Sequence, residues 1–245
     1  YWSLGIRFFL FLRIAFMLCS RIIQSTVNFT SQYTTSMRII ITGATGMVGE
    51  GVLMACLQEP EITEILSVSR KSLQQSHPKL KEYLVSDFLD LDLGDPLLKG
   101  YDACFYCAGV SSLGMSEAEY TRITYDTTLH FAKALGPNPS MSFMYISGKG
   151  TDSTENGSSM WARVKGKTEN DLMKLPFKQA FGYRVGVLTP MPGQKHVLKY
   201  YSYLSWLIPL FNFLSSSQVC SLKEVAHSMI YLAKHGHPEH VIHVN

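Results

Sequence analysis

"RIIITGATGMVGEGVLMACLQ", residues 38–58, changes its periodicity part-way along. The opening residues, Arg38 to Gly43, form the near-continuous β-branched run of a strand buried on both faces. From Gly49 to Gln58 the apolar residues instead recur at helical spacing. The junction is "GATGMVG", and a glycine pattern of this kind gains meaning only between a strand and a helix, which is its position here. Gly43 permits a tight turn, Gly46 lets the backbone approach a pyrophosphate, and Gly49 lets the helix pack close to the strand. The backbone N–H groups of Thr45, Gly46, Met47, Val48 and Gly49 at the helix start would then receive phosphate charge.

Outward from that unit the chain keeps alternating. "EILSVS" (64–69), "EYLVS" (82–86), "DACFYCAG" (102–109), "MSFMYISG" (141–148) and "AFGYRVGVL" (180–188) read as strands. Helical patterns occupy 117–135 and 159–174, and crossovers of this length imply a parallel sheet with helices on both faces. A doubly wound α/β fold is therefore expected over 37–245. With 245 residues, 46% of them apolar and 17% charged, the chain suits one globular domain of mixed class.

Charge removes one class of partner. The formal +3 is carried by Arg7, Arg13 and Arg21, the charged residues before Met37, and the remainder balances. No basic footprint for nucleic acid is left. Five cysteines without framework spacing favour a reducing compartment, hence the cytoplasm. Cys104 and Cys107 form a CxxC, but on a strand they point to opposite faces, which argues against redox or zinc chemistry. No metal site is expected. In "DFLDLDLGD" a count from Asp90 places Gly94 and Tyr101 where calcium ligands belong, and "HGHPEHVIH" reads as a surface turn into a last short strand, metal binding being the second reading there.

Residues 1–36 are different material. "IRFFLFLRIAFMLCS" is apolar but interrupted by Arg13, and "RIIQSTVNFTSQYTTS" is rich in Ser and Thr with no acidic residue. Three readings stand: a targeting leader, a membrane anchor, or a non-native or disposable extension outside the fold, the last being preferred. The aromatic stretch "YYSYLSWLIPLFNFL" (200–214) reads first as a pocket wall or lid and second as a peripheral membrane contact.

At the end of the second strand, where an acidic residue would hold the ribose of NAD, stands "VSRKS". Ser69, Arg70 and Lys71 offer a hydroxyl and two cations suited to a 2′-phosphate. NADP(H) is thus expected over NAD(H).

Together the glycine motif, "CAG" after the fourth strand, Ser147 and Lys165 resemble the short-chain dehydrogenase/reductase superfamily with its Rossmann fold. "GATGMVGEG" and "VKGKTEN" are similar to its atypical branch of epimerase/dehydratase-like proteins that includes the Tat-interacting oxidoreductase-like proteins. The resemblance runs from about 37 to 245. It implies that Asp87 and Phe88 flank the adenine, and that Cys107, Ala108 and Gly109 line the middle of the cofactor. It also implies that Lys165 bonds the nicotinamide ribose and that Ser147 polarises a substrate carbonyl. Arg184-Val185-Gly186 resembles the family's Arg-Pro-Gly segment without its proline, and the resemblance implies that Arg184 is a cofactor-binding residue.

The departure is Trp161, which stands where the resemblance implies a catalytic tyrosine, four residues before Lys165. An indole N–H donates a hydrogen bond but cannot exchange its proton at workable pH. A substitute donor would be Tyr120, Tyr125, Tyr145, or Lys165 through water. Two functions follow as expectations: an NADP(H)-dependent reductase of a small carbonyl compound, or a non-catalytic NADP(H)-binding sensor or interaction module.

Overall fold

The computed structural model describes residues 36–197 and 219–244. Strand β1 (Met37–Thr42) leads through the glycine turn into helix α1 (Met47–Gln58), followed by β2 (Ile62–Ser69) and β3 (Leu80–Leu84). Then come β4 (Ala103–Tyr106) and a long helical stretch. It consists of α2 (Glu117–Thr121), a π-helical turn (Arg122–Asp126) and α3 (Thr127–Leu135). The second half holds β5 (Asn138–Ile146), α4 (Met160–Leu172), β6 (Phe177–Val185), β7 (Val187–Thr189), β8 (Val219–Ser221), α5 (Leu222–His235) and β9 (Val241–Val244).

Seven strands form one sheet in the order β3-β2-β1-β4-β5-β6-β9, with every described pairing parallel. The order reverses between β1 and β4. In open α/β sheets such a switch point leaves a crevice at the carboxyl ends of the strands.

Strand alternation explains the two cores. Ile39, Ile41, Phe105, Met144, Ile146 and Phe181 face α1 and α5 on one side. Ile40, Cys104, Tyr106, Phe143 and Tyr145 face α3 and α4 on the other. Tyr106 packs 5.6 Å from Phe131 and 5.9 Å from Phe143, ring centre to ring centre. Cys104 sits in the second core while Cys107 packs against the first, so this CxxC does straddle the sheet.

Four expectations shift. The strand read at 82–86 lies two residues earlier, because Leu80 pairs with Ile65 and the ladder ends on Leu84 opposite Ser69. The run read as 180–188 breaks at Gly186: β6 pairs with β5, whereas β7 leaves the sheet to pair with β8. Helix α5 is an addition, opened by a capping box in which Ser221 and Glu224 satisfy each other's backbone N–H groups. The helix read at 117–135 contains the π-helical turn. The expected short strand after "HGHPEH" is β9, and residues 200–214, like 1–35, lie outside the described residues.

Candidate functional site

The turn after β1 is built by three glycines with different duties. Gly43 has φ +69°, and a Cβ there would lie 2.6 Å from the Ala108 nitrogen, so the turn rests directly on the chain leaving β4. A Cβ on Gly49 would meet the Gly43 carbonyl oxygen at 2.2 Å, which fixes how closely α1 approaches the strand. Gly46 is exposed, and its Cβ position meets only that same oxygen, at 3.4 Å. It opens α1 with no side-chain cap, and Met47, Val48 and Gly49 donate their N–H groups to no acceptor among the described residues. Unpaired N–H groups at a helix start form a ready anion site. Thr45, half-buried, completes the turn.

Across the switch point, Ala108 N–H donates to Thr42 Oγ1 at 3.2 Å, tying the ends of β1 and β4 together. Cys107 and Ala108 are half-buried, and burial pushes the Cys107 thiol up to about 12, so it is no nucleophile. Gly109 has open space around it.

At the end of β2, Ser69 is 3% exposed and its hydroxyl donates to the Lys71 carbonyl at 2.8 Å. The Ser69 hydroxyl therefore shapes the turn, while the side chains of Arg70 and Lys71 are exposed. After β3, Asp87 accepts from Leu89 N–H at 3.0 Å, and the Phe88 ring packs into the core 5.5 Å from Phe131. Any adenine contact by Phe88 is thus left to its backbone.

Ser147 follows β5 directly, is 4% exposed, and its Oγ has no hydrogen-bond partner among the described residues. An unpartnered buried hydroxyl costs about 1–3 kcal/mol. Lys165 Nζ donates to the Ser147 main-chain carbonyl at 3.2 Å and lies 6.0 Å from the centre of the Tyr145 ring. Burial pulls its pKa down to about 8, with Glu169 acting in the opposite direction.

The "VKGKTEN" segment owes its composition to this placement. A Cβ on Gly166 would lie 1.8 Å from the Asp152 carbonyl oxygen, so α4 must carry glycine where the loop from β5 crosses it. Asn170 Nδ2 donates to the Ser153 carbonyl at 2.9 Å and to Glu155 Oε1 at 2.7 Å, holding the same loop. Glu169, fully buried, pairs with Arg184 Nη2 at 2.6 Å. Arg184 also donates to Ser153 Oγ, so its guanidinium is taken up by α4 and the loop.

Trp161 lies against that loop. Cβ atoms on Gly148 and Gly150 would come within 3.7 and 3.4 Å of its six-membered ring, which places the indole on the backbone next to Ser147. The substitute phenols are otherwise engaged. Tyr125 donates to Asp171 at 2.7 Å, and that bond is the largest influence pushing its pKa up to about 12. Tyr120 and Tyr145 are each 1% exposed, and burial raises both.

One anchor had no mark in the sequence. Glu50 of α1 accepts the N–H groups of Lys195 at 2.9 Å and His196 at 2.6 Å, and Gln194 Nε2 donates to the Met47 carbonyl. These bonds pin the chain beyond β7 to the helix of the glycine turn. Among the described residues no cluster suited to a metal ion occurs, and no helix is long and apolar enough to cross a membrane.

Residues 39–159 match the NAD dependent epimerase/dehydratase family. Over those residues the chain is similar to that family. The match is to the broad family and does not distinguish its branches. Among curated relatives, leucinostatins biosynthesis cluster protein T of Purpureocillium lilacinum is 33% identical over 143 residues, covering 57% of this chain and 52% of that protein. Protein FMP52, mitochondrial, of Meyerozyma guilliermondii is 27% identical over 158 residues, covering 62% of this chain and 65% of its own. The chain therefore spans about half the length of the first relative and just under two thirds of the second. Among solved structures, MoeE5 in complex with UDP-glucose and NAD superposes with a TM-score of 0.63 at 16% identity, covering 85% of this chain and 76% of that one. That likeness is one of fold.

Proposed function

We propose that the protein is an NADP(H)-dependent reductase of a small carbonyl compound, working with a proton donor other than tyrosine. The observation that carries this reading is the buried, unpartnered Ser147 hydroxyl, with Lys165 anchored on the same residue at the carboxyl edge of the sheet. A buried hydroxyl with no partner among the described residues is suited to meet a substrate oxygen.

The residues fit a nicotinamide dinucleotide. Gly46 and the free N–H groups of Met47, Val48 and Gly49 would hold its pyrophosphate, the Cys107–Gly109 segment would line its middle, and Lys165 would bond the nicotinamide ribose. Asp87 and the Phe88 backbone would flank the adenine, and the exposed Arg70 and Lys71 would take a 2′-phosphate. When bound, the nicotinamide supplies hydride. The chain's own task is to orient the carbonyl by the Ser147 hydroxyl, to cover it with the Trp161 indole, and to supply a proton. MoeE5 is described with NAD, and its likeness supports the dinucleotide but not the choice of NADP(H).

A second reading, a non-catalytic NADP(H)-binding sensor or interaction module, is favoured by Trp161 alone, since an indole donates no proton. As for location, the acid-free Ser/Thr-rich stretch before Met37 and the mitochondrial FMP52 relatives support an organelle over the cytoplasm.

The test is paired. Fluorescence titration should show NADPH binding more tightly than NADH, with Arg70→Ala removing most of the difference. A panel of aldehydes and ketones should then show slow carbonyl-dependent NADPH oxidation. Equal affinities for the two dinucleotides would overturn the cofactor assignment, and no oxidation with any carbonyl would favour the binding module.

A further inference from the structure

We infer that Lys165 is itself the proton donor of this site, acting through a water on the oxygen that Ser147 holds. This rests on the reductase reading above. The position that carries a phenol in the family's pattern holds Trp161, and the phenols around it are withdrawn: Tyr125 is bonded to Asp171 at 2.7 Å, and Tyr120 and Tyr145 are 1% exposed. Lys165 differs from all three. It is partly open to solvent, and among the described residues its ammonium has a single hydrogen-bond acceptor, the carbonyl of Ser147. An ammonium has three N–H donors, so two remain for cofactor and water.

The groups around it keep the ammonium an acid that can give up a proton. Tyr145 of β5 offers a ring face at 6.0 Å and no carboxylate. Glu169, one turn along α4, is bound by Arg184 of β6 at 2.6 Å. Burial therefore outweighs attraction, and the pKa stands at about 8 against an ordinary 10.5. That value lies close to a working pH, where general acids are most effective.

The balance is simple. The carbonyl carbon gains hydride from a reduced nicotinamide dinucleotide, forming a C–H bond, while the C=O π pair moves onto oxygen. That oxygen takes a proton from the water, and the water takes one from Nζ. The carbonyl is reduced to an alcohol, the dinucleotide is oxidised, and the neutral amine regains a proton from solvent.

Two measurements test this. In protein carrying ¹³C-labelled lysine, with the Lys165 signal assigned by its loss in Lys165→Arg or Lys165→Met, the Lys165 titration midpoint should stand near 8; a midpoint at the ordinary 10.5 overturns the inference. At saturating NADPH the rate of carbonyl reduction should fall as pH rises through about 8. Lys165→Arg keeps a charge but cannot release a proton, so the rate should drop about 10²-fold. Turnover untouched by Lys165→Arg would overturn the inference and leave the reductase reading standing. No carbonyl-dependent oxidation by the parent protein would overturn both.

Discussion

Lys165 Nζ and the main-chain oxygen of Ser147 lie 3.2 Å apart, joining α4 to the end of β5 by one bond at the place where the chemistry is expected. The bond orients the ammonium without neutralising it, so its burial remains a cost. The pKa of about 8 lies below the ordinary 10.5, which means that between these values the unfolded chain holds a proton the folded one has released. Stability contributed by this group therefore rises with pH through that window and is lowest below it.

Replacing the lysine should expose that cost. Lys165→Met is expected to stabilise the fold at pH 7 by about 1 kcal/mol and to flatten the rise toward pH 10, measured as the urea midpoint at each pH. Its NADPH affinity should fall at the same time. A site that gives up stability for function behaves in this way.

The three glycines should separate. Gly49→Ala and Gly43→Ala each force a Cβ into backbone, at 2.2 and 2.6 Å, and should cost about 3 kcal/mol in denaturant unfolding. Gly46→Ala meets no such contact and should lower stability by only about 1 kcal/mol, as an N-cap change does. Its NADPH affinity should nonetheless drop, since the added methyl stands on the exposed side of the turn.

The Glu169–Arg184 pair should behave as a buried ion pair rather than a cofactor contact. Arg184→Met leaves the Glu169 carboxylate uncompensated and should cost about 3–5 kcal/mol, whereas Glu169→Leu with Arg184→Met should recover much of that loss. A double-mutant cycle on thermal or urea unfolding checks it.

Much of the fold was readable because its signals are local. The run Arg38–Gly43, the glycine turn and the helical spacing after it lie within one stretch of chain, and neighbouring strands repeat the same short pattern. Helix α5 had a local signal as well, the Ser221-to-Glu224 capping box, which the aromatic stretch before it obscured. What could not be read depends on partners far apart in the chain. That Glu169 pairs with Arg184 shows only when α4 is laid on β6, and Glu50 gives no hint of holding the backbone of Lys195 and His196. Ser147 and Lys165 were legible only through family resemblance; that the serine hydroxyl is buried with no partner among the described residues required the structure.

On the proposed reading the site reduces carbonyls and lacks only an efficient acid at position 161. Carbonyl-dependent NADPH oxidation, measured for the parent, Trp161→Tyr, and Trp161→Tyr with Ser147→Ala, tests it most directly. The parent should turn over slowly, Trp161→Tyr should raise the rate by up to about 10²-fold, and replacing Ser147 as well should remove that gain. No turnover by either the parent or Trp161→Tyr, with NADPH affinity undiminished in both, would contradict it and identify a binding module.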